Sequence, residues 1–124
     1  METRHYTGPI EVTTISIKPG EMLLETIKEA LKERNIKNGV VVSGIGSLKS
    51  CTLHHVANPD FPHSNRFTIE KPLELSSISG IIADGEPHLH VVVSYADEET
   101  YSGHLEDDSE VLYLAEVAIL VFNS

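Results

Sequence analysis

The sequence predicts an α+β fold in which one helix packs on a mostly antiparallel β-sheet. Helical periodicity of apolar residues occurs in one long segment, residues 21–35, whereas most of the remaining chain consists of short β patterns separated by turn residues. The segments after the helix are close enough in sequence to be joined as hairpins, which favours antiparallel pairing. A chain of 124 residues with 40% hydrophobic content is expected to form a single domain, residues 1–124, with its own core.

The helix over residues 21–35 is predicted from one apolar stripe with charged residues on the opposite side. The members of the stripe recur at helical spacing and are Leu23, Leu24, Ile27, Ala30 and Leu31. Before the helix, residues 11–18 alternate as in a β-strand that ends at Pro19. After the helix, the pair Asn38-Gly39 is expected to act as the stop signal.

The segments that follow the helix all favour strands. Residues 57–66 contain two prolines and two asparagines, so they are expected to form a loop. Gly44-Ile45-Gly46 is expected to form a flexible corner between two strands. The predicted strands cover residues 39–43, 47–56, 73–83, 88–96, 100–105 and 111–122.

Charge and composition restrict the classes of partner. The chain has 9 basic and 19 acidic residues and a formal net charge of -10, so nonspecific binding to a phosphate backbone has no electrostatic support. The single Cys51 cannot form an intramolecular disulfide, which fits a reducing compartment. No segment is long and apolar enough for a signal peptide or a membrane span. We therefore expect a cytoplasmic protein without a membrane partner.

Three histidines form the most informative pattern in the chain. His88 and His90 are two residues apart on a predicted strand, so their side chains lie on the same face. His104 lies on the next predicted strand. Three imidazoles with one open position are the ligand set of a catalytic or ligand-accepting zinc ion. Histidines on an exposed strand are also common without any metal, and spacing alone leaves both interpretations open.

The zinc hypothesis depends on the register of the hairpin that carries these histidines. If residues 97–99 form a three-residue turn, Val92 faces His104 and His90 lies diagonally across on the same face. A two-residue turn would direct His104 to the other face. The sequence favours the first register without fixing it.

Other polar residues are weaker candidates. His54 and His55 are adjacent on a predicted strand and should point to opposite faces, so the two cannot both join one site. One of them could face a cleft, but solvent exposure is the expected state of each. His63 lies in the proline-rich loop, where it could cover a site. Glu74 and Glu116 are candidates for proton transfer, although structural pairing is favoured for Glu116.

The order of several short motifs resembles the plant-and-prokaryote-conserved (PPC) domain over nearly the whole chain. The motifs that carry this resemblance are residues 18–21, 44–48, 73–80, 84–90, 103–105 and 115–117. The resemblance implies a compact α+β domain with a highly bent sheet, related in fold to acetolactate decarboxylase and assembled as a homotrimer. In prokaryotic members the matching histidines, here His88, His90 and His104, are associated with a metal, usually zinc.

Three functions are consistent with this resemblance. The first is binding or conversion of an unknown small molecule at a zinc site. The second is DNA binding, because plant members carry an AT-hook, but its Arg-Gly-Arg-Pro core is absent here and the arginines are isolated. The third is a noncatalytic trimeric interaction module. Plant domains generally lack the histidines that this chain retains, which favours the first function.

Overall fold

The computed structural model describes residues 1–61 and 65–123. Within these ranges the chain forms one α-helix and eight β-strands, which we number in chain order. The elements are β1 (Glu11–Ile17), α1 (Leu23–Glu33), β2 (Gly39–Leu48), β3 (Cys51–His55), β4 (Asn65–Ile69), β5 (Leu73–Ala83), β6 (Glu86–Tyr95), β7 (Glu99–Leu105) and β8 (Val111–Val121). The strands form one antiparallel sheet in the order β1-β8-β2-β5-β6-β7-β3-β4. The predicted α+β class is confirmed.

One face of the sheet and one face of α1 enclose the core. The buried helix residues are Leu23, Leu24, Ile27 and Leu31, four members of the predicted stripe. Strand residues at alternate positions face them, including Leu89, Val91 and Val93 on β6. Burying a side chain such as Ile27 contributes about 2 kcal/mol relative to leaving it in water. Because the core occupies one face, the other residues of β6 lie on the opposite, open face.

The sheet is bent, and irregular pairing accompanies the bend. The register shifts between Val41 and Ser43 and between Gly46 and Leu48 on β2, and between Leu75 and Ser77 on β5. Such β-bulges kink a strand and increase its twist. Bending lets eight strands curve around a single helix.

The glycine pair of β2 does not form the expected corner between two strands. Strand β2 continues through Gly44 and Gly46 to Leu48. A Cβ atom on Gly44 would lie 2.6 Å from the Ile78 side chain, so this glycine allows close packing with β5. The predicted break therefore lies later, between β2 and β3 at residues 49–50.

Two further boundaries differ from the prediction. The helix ends at Glu33, where Asn35 takes a positive φ of 53° and the Ile36 amide donates to the Leu31 carbonyl, so Asn38-Gly39 is not its stop. Strand β4 occupies part of the predicted loop and pairs with β3 at an edge of the sheet. No helix in the described residues is long and apolar enough to cross a membrane.

Candidate metal centre

The hairpin of β6 and β7 brings the three candidate histidines to one face of the sheet. Its turn consists of residues 96–98, and Tyr95 pairs with Glu99. His104 therefore lies directly opposite His90, whereas Val92 lies opposite Ser102. The predicted pairing of Val92 with His104 is wrong by two residues. A shift of two preserves the face, because side chains alternate with a period of two.

The turn begins one residue earlier than the sequence suggested. Ala96 adopts a positive φ of 48°, a conformation that favours glycine or asparagine, so its role is not visible in the sequence. The Glu98 amide donates to the Tyr95 carbonyl across 3.1 Å. Next to the turn, Lys71 Nζ contacts Glu99 Oε1 at 2.8 Å and thereby ties the hairpin to the chain before β5.

The three imidazoles converge on one point of the open face, close enough to share one metal ion after small ring rotations. Their ring centroids are separated by 5.4 Å for His88 and His90, 4.9 Å for His88 and His104, and 5.5 Å for His90 and His104. One nitrogen from each ring can be chosen so that all three lie within 4.8 Å of one another. A tetrahedral zinc ion bound at about 2.0–2.1 Å needs nitrogens roughly 3.4 Å apart. Small rotations of the exposed His88 and His90 rings would close that difference, and the donor set therefore fits zinc.

The surroundings keep two of the three imidazoles, those of His90 and His104, in the neutral form that binds metals. Burial, together with the neighbouring His54 and His88, lowers the pKa of His104 to about 4. Burial and the same two histidines also lower the pKa of His90. A neutral imidazole offers a lone pair, whereas an imidazolium does not. At neutral pH, His90 and His104 are therefore ready to accept a cation.

We expect the metal-free protein to lose about 1 kcal/mol of stability through His104 as the pH falls from about 6.5 to about 4. Between these pH values His104 is protonated in the unfolded chain but still neutral in the folded protein, so acidification favours the unfolded state. The expected loss in free energy of unfolding is smaller than the full pKa shift would give, because solvent screens the charge of this partly buried side chain. Urea unfolding in a chelator at about pH 7 and about pH 4.5 measures the change. The variant His104→Asn should show a smaller loss, and an equal loss in both proteins would contradict the prediction.

The histidines open into a cavity of about 620 Å³ on the open face of the sheet. Its lining residues are His54, His55, Val56, Ser77, Ser79, His88, His90, Val91, Val92, Ser102, Gly103 and His104. The described residues that line the cavity thus provide imidazoles, hydroxyl groups and aliphatic groups, and none of them is a lysine, arginine or carboxylate. This composition suits a small molecule with polar oxygens and an apolar part better than a polyphosphate.

His54 is part of the cavity wall. It is buried, although the sequence predicted that it would be exposed to solvent. It lies directly opposite His104 in the β3–β7 pairing, and its side chain is only 6% exposed. The two rings are in contact, with their centroids 4.2 Å apart and their planes tilted by 31°. His54 Nδ1 lies 2.5 Å from Glu106 Oε1. Neither Glu106 nor this contact could be identified from the sequence, because it joins residues 52 positions apart.

His55 also lines the cavity, contrary to the expectation that only one of the two adjacent histidines could do so. It is the last residue of β3, and its Nε2–H donates to the Ser102 carbonyl. Its ring lies beside Gly103, where a Cβ atom would be 2.9 Å from His55 Cδ2. The absence of a side chain at Gly103 thus leaves room for the His55 ring at the rim of the cavity.

The remaining candidates lie elsewhere. Glu74 borders a separate depression on the sheet with Ser47 and Tyr113. Glu116 is exposed on β8 opposite Ile45, and it forms no ion pair within the described part of the chain. Within a single chain, neither carboxylate lines the histidine cavity. His63 lies outside the described residues.

Cys51 is a core residue. Its side chain is fully buried. Burial raises the pKa of the thiol to about 11, so the unreactive protonated form predominates at neutral pH.

Comparison with solved structures identifies the same fold in several proteins. A metal-containing protein from Archaeoglobus fulgidus is 25% identical, with a TM-score of 0.87 over 100% of this chain and 87% of that chain. A PPC protein from Pyrococcus horikoshii is 26% identical, with a TM-score of 0.80 over 100% of this chain and 86% of that one. A candidate DNA-binding protein from Bacteroides thetaiotaomicron shares the fold at 22% identity, with a TM-score of 0.81 over 97% of this chain and 84% of that chain.

Sequence comparison gives the family directly. Two curated relatives, both named bifunctional protein GlmU and found in two Synechococcus strains, are 26% identical over 91% and 90% of this chain. This chain spans only 17% of the length of either relative. The sequence pattern of the Plants and Prokaryotes Conserved (PCC) domain matches residues 4–123, which is nearly the whole chain. The protein therefore belongs to the Plants and Prokaryotes Conserved domain family, the family that its motifs resemble.

Proposed function

We propose that the protein binds a zinc ion through His88, His90 and His104 and receives a small molecule at the open position of that ion. The observation that carries this proposal is the convergence of three imidazole nitrogens within 4.8 Å in a cavity of about 620 Å³. The description of the Archaeoglobus relative as metal-containing gives independent support. The fourth position of such a site is available to water or a ligand.

The chemistry follows from the donor set and the cavity wall. A zinc ion held by three neutral imidazoles supplies a Lewis acid that polarises a carbonyl or lowers the pKa of a bound water to about 7. The hydroxyl groups of Ser77, Ser79 and Ser102 face the same cavity and can donate to, or accept from, the oxygens of a ligand. Val56 and Val92 provide the apolar part of the wall. Together these groups favour a small oxygen-containing ligand.

We further propose that the active form is a homotrimer in a reducing, cytoplasmic compartment. Five large apolar residues on four adjacent strands of the open face are 44–64% exposed in the single chain: Val12, Val42, Ile45, Ile81 and Leu114. An apolar surface of this kind favours contact with another chain. The family resemblance supplies the expected number of subunits. The single buried Cys51 supports the reducing compartment.

Elemental analysis of untagged protein tests the zinc site. Protein stripped with a chelator, reloaded with zinc and desalted is expected to retain about one zinc ion per chain. The triple variant His88→Ala, His90→Ala and His104→Ala should retain less than a tenth of that amount. His5→Ala is the matched control, because this histidine lies in the N-terminal segment away from the cavity. Equal zinc in all three proteins, or none in the wild type, would overturn the zinc proposal.

Light scattering on the same sample tests the trimer, and the measured mass should be three times the 13.6 kDa of one chain.

DNA binding is the alternative that the same preparation can address. The description of the Bacteroides relative favours it, whereas the net charge of -10 opposes it. We expect no retardation of an A/T-rich duplex by micromolar protein at physiological salt. Retardation by a protein that holds no zinc would favour the DNA-binding function instead.

A further inference from the structure

We propose that His54 and Glu106 form a positioning pair that fixes the orientation of the His104 ring for the metal. This inference rests on the proposed zinc site and assigns a role to two residues outside its three ligands. The pair lies on the side of His104 that faces β3. Its contribution is to hold one ligand in place before the ion arrives.

His54 contacts the ring of His104. The two residues are directly opposite in the antiparallel pairing of β3 and β7, so their side chains share a face. Their rings are 4.2 Å apart between centroids and inclined by 31°. A rotation of the His104 ring toward β3 would collide with the His54 ring. His54 thus restricts the orientations available to one metal ligand.

His54 is held in place by burial and by a contact with Glu106. Its side chain is almost fully buried, and its Nδ1 contacts Glu106 Oε1 at 2.5 Å. Because the Glu106 carboxylate accepts a hydrogen bond, His54 Nδ1 carries the hydrogen, and this contact determines the tautomer of the His54 ring. A ring flip of His54 would break this hydrogen bond in a buried position. Loss of a hydrogen bond to a charged group is unfavourable.

Glu106 is attached to the buried part of β3. Its amide donates to the Thr52 carbonyl at 3.0 Å, and the Thr52 amide donates to Ser109 Oγ at 2.9 Å. Thr52 and Ser109 are both fully buried. These contacts fix the Glu106 backbone beside β3, and from that position its carboxylate reaches His54 Nδ1.

The three ligands differ in how their surroundings hold them. His88 and His90 are exposed on β6, whereas His104 is partly buried and its ring contacts that of His54. A ligand side chain that rotates freely loses conformational entropy when it binds the metal, and this cost lowers the affinity of the site for the metal. Partners that orient a ligand typically change metal affinity by 10–100-fold when removed. Because His54 acts through a ring contact and not through a hydrogen bond to His104, we expect an effect near the lower end, about tenfold.

Cobalt titration of the stripped protein tests the pair, because bound Co²⁺ reports affinity and ligand geometry through its visible absorption. His54→Ala and Glu106→Ala should each bind Co²⁺ about tenfold more weakly, with altered absorption bands. Glu106→Gln should restore affinity to within about threefold, because its amide oxygen still accepts the His54 Nδ1–H. His5→Ala is again the control, and thermal unfolding establishes that each variant is folded.

The outcomes separate this inference from the zinc proposal. Failure of the wild type to bind Co²⁺ would remove the metal site itself. Binding by the wild type and by His54→Ala with the same affinity and spectrum would overturn the positioning role alone. If His54→Ala does not fold, the two Glu106 variants decide: equal weakening in Glu106→Ala and Glu106→Gln would contradict positioning through the hydrogen bond.

Discussion

Replacing His90 with alanine is expected to weaken zinc binding by at least about a hundredfold. His90 is the central ligand of the proposed site, two residues from His88 on one strand and directly opposite His104 on the next. Two imidazoles cannot hold the ion in the tetrahedral arrangement that three provide with one open position. The loss should exceed the effect of removing a residue that only orients a ligand.

Competition with a chromophoric chelator measures the dissociation constants of the wild type and the His90→Ala variant. The matched control is Thr100→Ala, an exposed position on the same hairpin that does not line the cavity. Both substitutions are on the surface, so the free energy of unfolding of the metal-free protein should change by no more than about 0.5 kcal/mol. Equal zinc affinity in the two variants would exclude His90 as a ligand.

The face on which the histidines lie was predictable, but their register was not. Alternation along a strand places His88 and His90 together whatever the turn, and a three-residue turn adds His104 to the same face. The position of that turn depends on Ala96, whose positive φ has no signature in its residue type. An error of two residues therefore left the predicted set of ligands intact while changing the partner of His104 from Val92 to His90.

The helix was predictable because five apolar residues share one stripe, and four of them are buried. Its end was less predictable, because the positive φ that follows the last turn lies at Asn35, three residues before the predicted stop at Asn38-Gly39. Strand β4 was missed because only Phe67 and Ile69 alternate in it, beside a proline-rich loop. Its pairing with β3 supplies the context that so short a pattern lacks.

The surroundings of the site could not be predicted from local pattern. His54 is buried because residues 106–109 fold back onto β3 through Thr52 and Ser109, contacts that span more than fifty positions. Two adjacent histidines in a sequence give no indication that residues 106–109 will pack against their strand. Sequence reasoning was therefore most successful where a local period determines the face, and least successful where distant segments determine burial.

Gly80→Ala is expected to destabilise the protein by about 3 kcal/mol and to weaken zinc binding as well. Gly80 lies opposite Leu89 in the β5–β6 pairing and has a φ of 153°. A Cβ atom there would lie 2.0 Å from the His88 carbonyl oxygen and 2.9 Å from Leu89 Cδ2. The backbone of β6 must therefore move, because a carbonyl group cannot rotate away as a flexible side chain can.

The displacement would reach the core and the metal site together, because Leu89 packs in the core while His88 projects from the other face of the same strand. Gly20→Ala separates this steric effect from backbone strain, since Gly20 also has a positive φ, 86°, but nothing lies within 4 Å of its Cβ position. That control should cost only about 1 kcal/mol and leave zinc affinity unchanged. Urea unfolding and zinc titration of both variants decide the matter. Equal destabilisation, or normal zinc affinity in a folded Gly80→Ala protein, would show that the approach of β5 to His88 does not hold the ligand in place.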